Sequence, residues 1–225
     1  MEQRNPNSIR RIYHGTTDSD FKPFFGGGRD YHDYGKGLYC TEDFNAAKEW
    51  ACQNIDVTTA YVYEYDLLME GIDPTLNLNI LEPLYWLAVL AQYRYGQKES
   101  SARRERRLRL IELFNIDCEQ YEIIEGWRAD DRYFTYLSAF LGLDISYEAV
   151  ILAMKLGDLG QQVVIKGKTA YDHCRFVGKT TISGTDYFEH NSHYLAKAIE
   201  AEKNLRGVRD IPGIMLDEIL ERGGV

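Results

Sequence analysis

Cysteine is scarce and scattered. The four cysteines, Cys40, Cys52, Cys118 and Cys174, stand far apart with no Cys-x-x-Cys pair. This spacing fits neither a disulfide framework nor a zinc site, and reduced, buried thiols are the expectation. No His/Cys/Asp cluster has ligand spacing, so no metal is expected. Long apolar runs are also missing. The longest, Pro83-Leu84-Tyr85-Trp86-Leu87-Ala88-Val89-Leu90-Ala91, falls short of the roughly 18 residues a membrane helix needs. No membrane association is expected. The segment Met1-Glu2-Gln3-Arg4-Asn5-Pro6-Asn7-Ser8 is polar and lacks the apolar stretch of a signal peptide, which points to the cytoplasm. Positive charge is in deficit, with a formal net charge of -9. Such a surface repels phosphate backbones at long range, so non-specific nucleic-acid binding by the whole domain is not expected. A local basic groove remains compatible with it.

What is present suffices for one soluble domain over residues 1–225. The chain is 44% hydrophobic and 27% charged, enough apolar surface for a sizeable core. Ile9 to His14 reads as a strand ending at a Gly15-Thr16-Thr17 turn, and Gly37 to Thr41 as a second strand. Phe21 to Asp33 is loop-like, with Gly26-Gly27-Gly28 at its centre. A helix over Ala46–Gln53 has Thr41 or Asp43 as its N-cap. Strand character returns at Ala60–Leu67, Tyr121–Gly126, Gln161–Lys166 and Arg175–Ile182. Helical spacing is found at Leu81–Arg94, Ala102–Phe114, Asp131–Leu141, Ser146–Leu156, Thr169–Cys174, His193–Arg206 and Ile211–Arg222. There is no internal repeat and no strict βαβ alternation, so the class is α+β.

Two short segments carry the chemistry. One is Tyr13-His14-Gly15-Thr16; the other is Gly35-Lys36-Gly37-Leu38-Tyr39, with Trp50 following after ten intervening residues. Aromatic faces suit a flat cationic ring. A backbone N–H and C=O beside a glycine can grip a carboxamide, because no side chain blocks the approach. A histidine can hydrogen-bond a ribose hydroxyl. Taken singly, each feature has a plainer reading. His14-Gly15-Thr16 is then a turn, Lys36 a solvated loop residue, and Trp50 the core residue of an amphipathic helix.

In combination these segments resemble the ADP-ribosyltransferase superfamily, on its diphtheria-toxin and poly(ADP-ribose) polymerase side, the H-Y-E group. The whole chain is similar to a poorly characterised bacterial branch of it, with Gly126-Trp127-Arg128-Ala129-Asp130-Asp131 and Gln161-Gln162-Val163-Val164-Ile165 standing for that branch's middle and late motifs. The resemblance covers roughly residues 9 to 182. It implies a split, mostly antiparallel β-core with peripheral helices, a helical insertion at about 76–117 and a C-terminal helical extension at about 192–225. It implies NAD as substrate and ADP-ribose donor, without a metal. His14 would bind the nicotinamide-side ribose, the Gly15 backbone would hold the carboxamide, and Tyr39 and Trp50 would sandwich the nicotinamide, with Thr16, Gly35 and Gly37 also among the NAD-binding residues. Lys36, between Gly35 and Gly37, would lie near the acceptor or the phosphates.

The late strand departs from the group, which places a catalytic glutamate where this chain has Gln162. A glutamine can hydrogen-bond the ribose but cannot take a proton. Three outcomes stay open: another carboxylate acts as base, the acceptor needs none, or NAD is bound without turnover. Asp130 and Asp131 are the expected acceptor-side bases, with Glu125 also near; as a pair at a helix start, the aspartates read equally as caps. The implied activity is mono-ADP-ribosyl transfer to a macromolecular acceptor, protein or nucleic acid, with nicotinamide released. The alternatives are an NAD glycohydrolase and a silent NAD-binding module. By family analogy a bacterial toxin or defence effector with a neutralising partner protein is implied. The basic run Arg103-Arg104-Glu105-Arg106-Arg107-Leu108-Arg109 reads as a phosphate contact or, more simply, as a helix face paired to Glu99, Glu105 and Glu112. The apolar residues of Ile211–Arg222 read as a cap on the domain or a docking helix.

Overall fold

The polypeptide folds as an α+β protein in which two small sheets stack and one layer of helices covers the outer sheet. The computed structural model describes residues 8–52, 56–94, 99–129, 131–157, 160–184, 203 and 207–225, with backbone alone at 131–133 and 154–157. In the first sheet β1 (Ile9–Thr16) pairs antiparallel with β3 (Thr59–Leu68), which pairs antiparallel with β7 (Cys174–Ser183). The second sheet has the order β2 (Leu38–Cys40), β6 (Gln161–Ile165), β5 (Ile123–Trp127) and β4 (Thr75–Asn77). All its pairs are antiparallel except β4 with β5.

The late strand shows why the layers form. Val163, Val164 and Ile165 are all buried, and an unbroken apolar run of this kind needs cover on both faces. Alternation sends Val163 and Ile165 one way and Val164 the other. Val163 and Ile165 join Leu38, Cys40 and Ile123 against Ile12, Tyr65 and Leu67 of the first sheet. Val164 and Ile124 face a larger cluster built by the helices.

Those helices are α2 (Pro83–Tyr93), α3 (Ser101–Phe114), α4 (Asp131–Leu141), α5 (Tyr147–Gly157) and α7 (Leu216–Arg222). The short α1 (Phe44–Ala51) packs on β1 instead, and α6 (Lys168–Asp172) links β6 to β7. The segment expected as a helical insertion at about 76–117 is more than that. It begins inside strand β4, and α2 lies at the centre of the core. Leu84, Trp86, Leu87, Ala88, Val89, Leu90 and Ala91 are buried in succession, so α2 is apolar all round rather than amphipathic. Only Leu110 and Phe114 of α3 are buried. Among the described residues, four of its five arginines form ion pairs: Arg103 with Asp144 at 3.4 Å, Arg106 with Asp217 at 2.7 Å, Arg107 with Glu99 at 2.8 Å and Arg109 with Glu112 at 2.6 Å. Of the expected partners Glu99 and Glu112 are found, while Asp144 and Asp217, from other segments, take the place expected for Glu105.

Two boundaries differ from expectation. β1 runs on through Gly15 and Thr16, which pair with Val62 and Tyr61, where a turn was expected. The helix expected over Ile211–Arg222 starts only at Leu216. Pro212 and Gly213 disfavour a helix. The stretch before Leu216 is tied to the start of α5 instead: Tyr147 N–H donates to Ile214 O at 2.9 Å and Ser146 Oγ–H to Ile211 O at 2.9 Å. Leu216, Ile219 and Leu220 then cap the helical layer. Of the helix expected over His193–Arg206, all but residue 203 lies outside the described residues. Among the described residues no helix is long and apolar enough to cross a membrane.

Candidate functional site

The two motif segments meet because the ends of β1 and β2 are stitched together. Tyr13 N–H donates to Thr41 O at 2.8 Å, and Thr41 N–H returns a bond to Tyr13 O at 3.0 Å. In an extended strand backbone groups alternate sides, so Gly15 turns its N–H and C=O toward the same edge as Tyr13, beyond the end of that bridge. A Cβ at Gly15 would run into Ala47 O and lie 2.9 Å from Ala51 N. Glycine is required there by the seat of α1.

The stitch brings His14 Nδ1 to 2.7 Å from Tyr39 O. A carbonyl oxygen only accepts, so Nδ1 carries the proton and Nε2 is left as an acceptor. The His14 ring stacks on Phe21 with centroids 4.2 Å apart, and His32 meets the Tyr39 ring edge-on at 5.0 Å. Burial pushes His14 below its ordinary value, against the pull of the Tyr39 bond and with that of His32. The imidazole is thus held neutral and oriented.

The Gly35-Lys36-Gly37 turn is bound on every side. Gly35 has φ 76°, a conformation that favours glycine. Its carbonyl accepts from Tyr39 Oη at 2.7 Å, while Tyr34 N–H donates to that same hydroxyl at 2.9 Å. Lys166 supplies a further anchor. Its Nζ donates to Tyr34 O at 2.7 Å, Lys36 O at 2.9 Å and Glu119 Oε1 at 2.8 Å. Nothing in the sequence flagged Lys166 beyond its place at the end of an apolar strand.

A cleft of 420 Å³ opens beside these groups, lined by His14, Thr16, Gly37 and Tyr39 together with Phe21, Arg29, His32 and Tyr171. Other expected site residues lie elsewhere. Lys36 pairs at the surface with Asp30 at 3.3 Å. Trp50 sits on α1 with the Arg128 guanidinium 4.9 Å above its ring, so one aromatic face already holds a cation. Its indole Nε1 is buried without a hydrogen-bond partner.

Gln162 is 3% exposed and belongs to a buried network rather than to the cleft. Its Nε2 donates to Asp33 Oδ2 at 3.0 Å and to Trp127 O at 3.2 Å. Asp33 Oδ2 also accepts Ala129 N–H at 3.0 Å, and Oδ1 lies 3.4 Å from Arg94 Nε. Tyr34 Oη donates to Trp127 O at 2.7 Å and accepts from Trp86 Nε1 at 2.9 Å. Burial pushes Asp33 above the ordinary carboxylate value although Arg94, Ala129 N–H and Gln162 oppose it. A carboxylate is therefore present one hydrogen bond beyond Gln162. Sequence reasoning missed it inside the 21–33 loop, although it stands two residues before Gly35.

The remaining carboxylates divide differently. Glu125 is bound to buried Arg10 at 2.7 Å, and Arg10 also holds Glu42 at 2.9 Å. Asp130 lies outside the described residues, and Asp131 begins α4 with its backbone alone described. Among the described residues no group of His, Cys, Asp and Glu could hold a metal ion. No curated protein and no solved structure matches the chain. The family of proteins of unknown function DUF3990 does match, over residues 10–176, a stretch that runs from before His14 to beyond Gln162 and includes both motif segments, and the chain belongs to that family.

Proposed function

We propose that this protein has an ADP-ribosyltransferase-like fold and transfers ADP-ribose from NAD to a macromolecular acceptor, releasing nicotinamide. The observation that carries the reading is the 2.7 Å tie from His14 Nδ1 to Tyr39 O, which joins both motif segments at one cleft. The tie leaves Nε2 to accept from a ribose hydroxyl, and a neutral imidazole does this without repelling the cationic ring. In the reaction the ribose C1′–N bond breaks and its electron pair leaves with neutral nicotinamide. The acceptor's nucleophilic atom bonds to C1′ and gives up its proton. Orienting the two partners supplies most of what such a step needs.

One observation favours a second reading, NAD binding without turnover. The Gln162 amide is committed to Asp33 and Trp127 and has no basic function. Purified protein incubated with NAD separates the two. Release of free nicotinamide above the uncatalysed background is expected, together with loss of that release in Tyr39→Ala. NAD binding with no nicotinamide under any condition would leave only the silent module. If release occurs, labelled NAD incubated with lysate should leave label on macromolecules; label confined to free ADP-ribose would mean hydrolysis.

A further inference from the structure

Phe21 separates the His14 cleft from a second cleft of 410 Å³. Phe21, Lys22, Pro23, Leu38 and Tyr171 line both. The second cleft's own wall is aromatic, made by Tyr63, Tyr65 and Phe176, with Lys179 beside them. Phe176 is 61% exposed, so its ring stands in water next to the opening. Tyr63 is fixed beneath it, its hydroxyl engaged by Phe21 N–H at 3.1 Å and Ser19 O at 2.6 Å.

Charge runs against the rest of the surface. The chain carries -9 overall, yet this cleft has two lysines against one acid, Asp20. Lys22 makes no ion pair among the described residues. Lys179 Nζ donates to Ser19 O at 2.9 Å and lies 5.1 Å from the Tyr61 ring centroid, with no carboxylate against it among the described residues. The Tyr171 hydroxyl is buried without a hydrogen-bond partner.

We propose that this second cleft binds one nucleotide of a single-stranded nucleic acid, its base against the aromatic wall and its phosphate toward Lys22 and Lys179. Aromatic side chains beside lysines are the usual means of holding an unpaired base with its backbone. An apolar peptide side chain would cover the wall but offer nothing to two ammonium groups or to the Tyr171 hydroxyl. A nucleotide brings ring faces, ring acceptors and an anion together. Sharing Phe21, which stacks on His14 at 4.2 Å, puts such a nucleotide one ring's width from the first cleft. That it is the ADP-ribose acceptor rests on the transferase reading; that it binds does not.

Binding of a fluorescein-labelled oligothymidylate to the full chain, followed by anisotropy without NAD, tests this. Saturable binding is expected. Phe176→Ala should weaken it roughly 5- to 100-fold, the loss of one stacked base, while Phe176→Trp keeps it. Lys22→Ala should reduce the slope of log affinity against log salt by about 0.7. Leu108→Ala, at an exposed apolar residue far away on α3, should change nothing. Absence of saturable binding, or equal binding by Phe176→Ala and Lys22→Ala, overturns the proposal. So does displacement of the oligonucleotide by a glutamate–tyrosine copolymer with no loss in the variants. Nicotinamide release is measured separately. Release without oligonucleotide binding sinks this inference alone, and oligonucleotide binding without release sinks only the transferase reading.

Discussion

His14 is neutral because burial, first, and His32, second, outweigh the Tyr39 hydrogen bond and push its titration below the ordinary 6.5. The folded state then binds fewer protons than the unfolded chain on the acid side of that value. The stability concerned is fully present above the unfolded pKa and drains away as pH falls through the folded one. His14→Gln should therefore flatten the acid limb of unfolding free energy against pH, read by urea titration at a series of pH values. His32 is lowered by the same burial, with Arg29 and Arg94, and keeps part of the slope. An identical slope in the variant would remove burial of His14 as its cause. At this scale the sequence was half legible. His14, Thr16, Gly37 and Tyr39, drawn from the two motif segments, line one cleft. Asp33 and Lys166 were invisible because their importance comes from partners far along the chain. Trp50 was legible as an aromatic but not as a seat for Arg128, since that contact depends on how α1 meets the end of β5.

Elements were read more securely than their ends. The strand and helix patterns over 60–67, 81–94, 102–114 and 131–141 each correspond to an observed element within a few residues, because periodicity and turn chemistry are local. Asp43 caps α1 by accepting Asn45 N–H at 2.8 Å, one of the two caps expected. β1 outran its expected turn because pairing with β3 supplied partners for Gly15 and Thr16, and tertiary pairing overrides a glycine's turn preference. The seat of α1 on β1 gives an element-scale prediction. Gly15→Ala would push a methyl into the Ala47 carbonyl, backbone that cannot swing aside. The cost should be about 1–3 kcal/mol or more, measured by urea unfolding. Stability equal to the parent would mean that α1 does not sit on that glycine.

The second sheet and the helical layer are held to the Gly-Lys-Gly turn by one chain of polar contacts. It runs from Trp86 in the helical layer through Tyr34 to Trp127 O, and from there through Gln162 to Asp33 beside the Gly-Lys-Gly turn. Tyr34→Phe would remove the hydroxyl that accepts the Trp86 indole N–H and donates to Trp127 O, two hydrogen bonds of the network. A loss of about 1–3 kcal/mol is expected, with the urea midpoint lowered and the fold kept. A neutral effect would show the network to be dispensable to stability. What the chain by itself determined is most of the elements, though not β4, together with the α+β class and the two motif segments, because hydrophobic period, caps and glycine turns act over a few neighbouring residues. What only the tertiary structure decided is which of those residues share a cleft. The carboxylate beside Gln162 comes from 129 positions away. The Tyr39 carbonyl that orients His14 lies 25 positions away. Pairings over such distances follow from how strand registers and helix seats close together, and no local pattern encodes them.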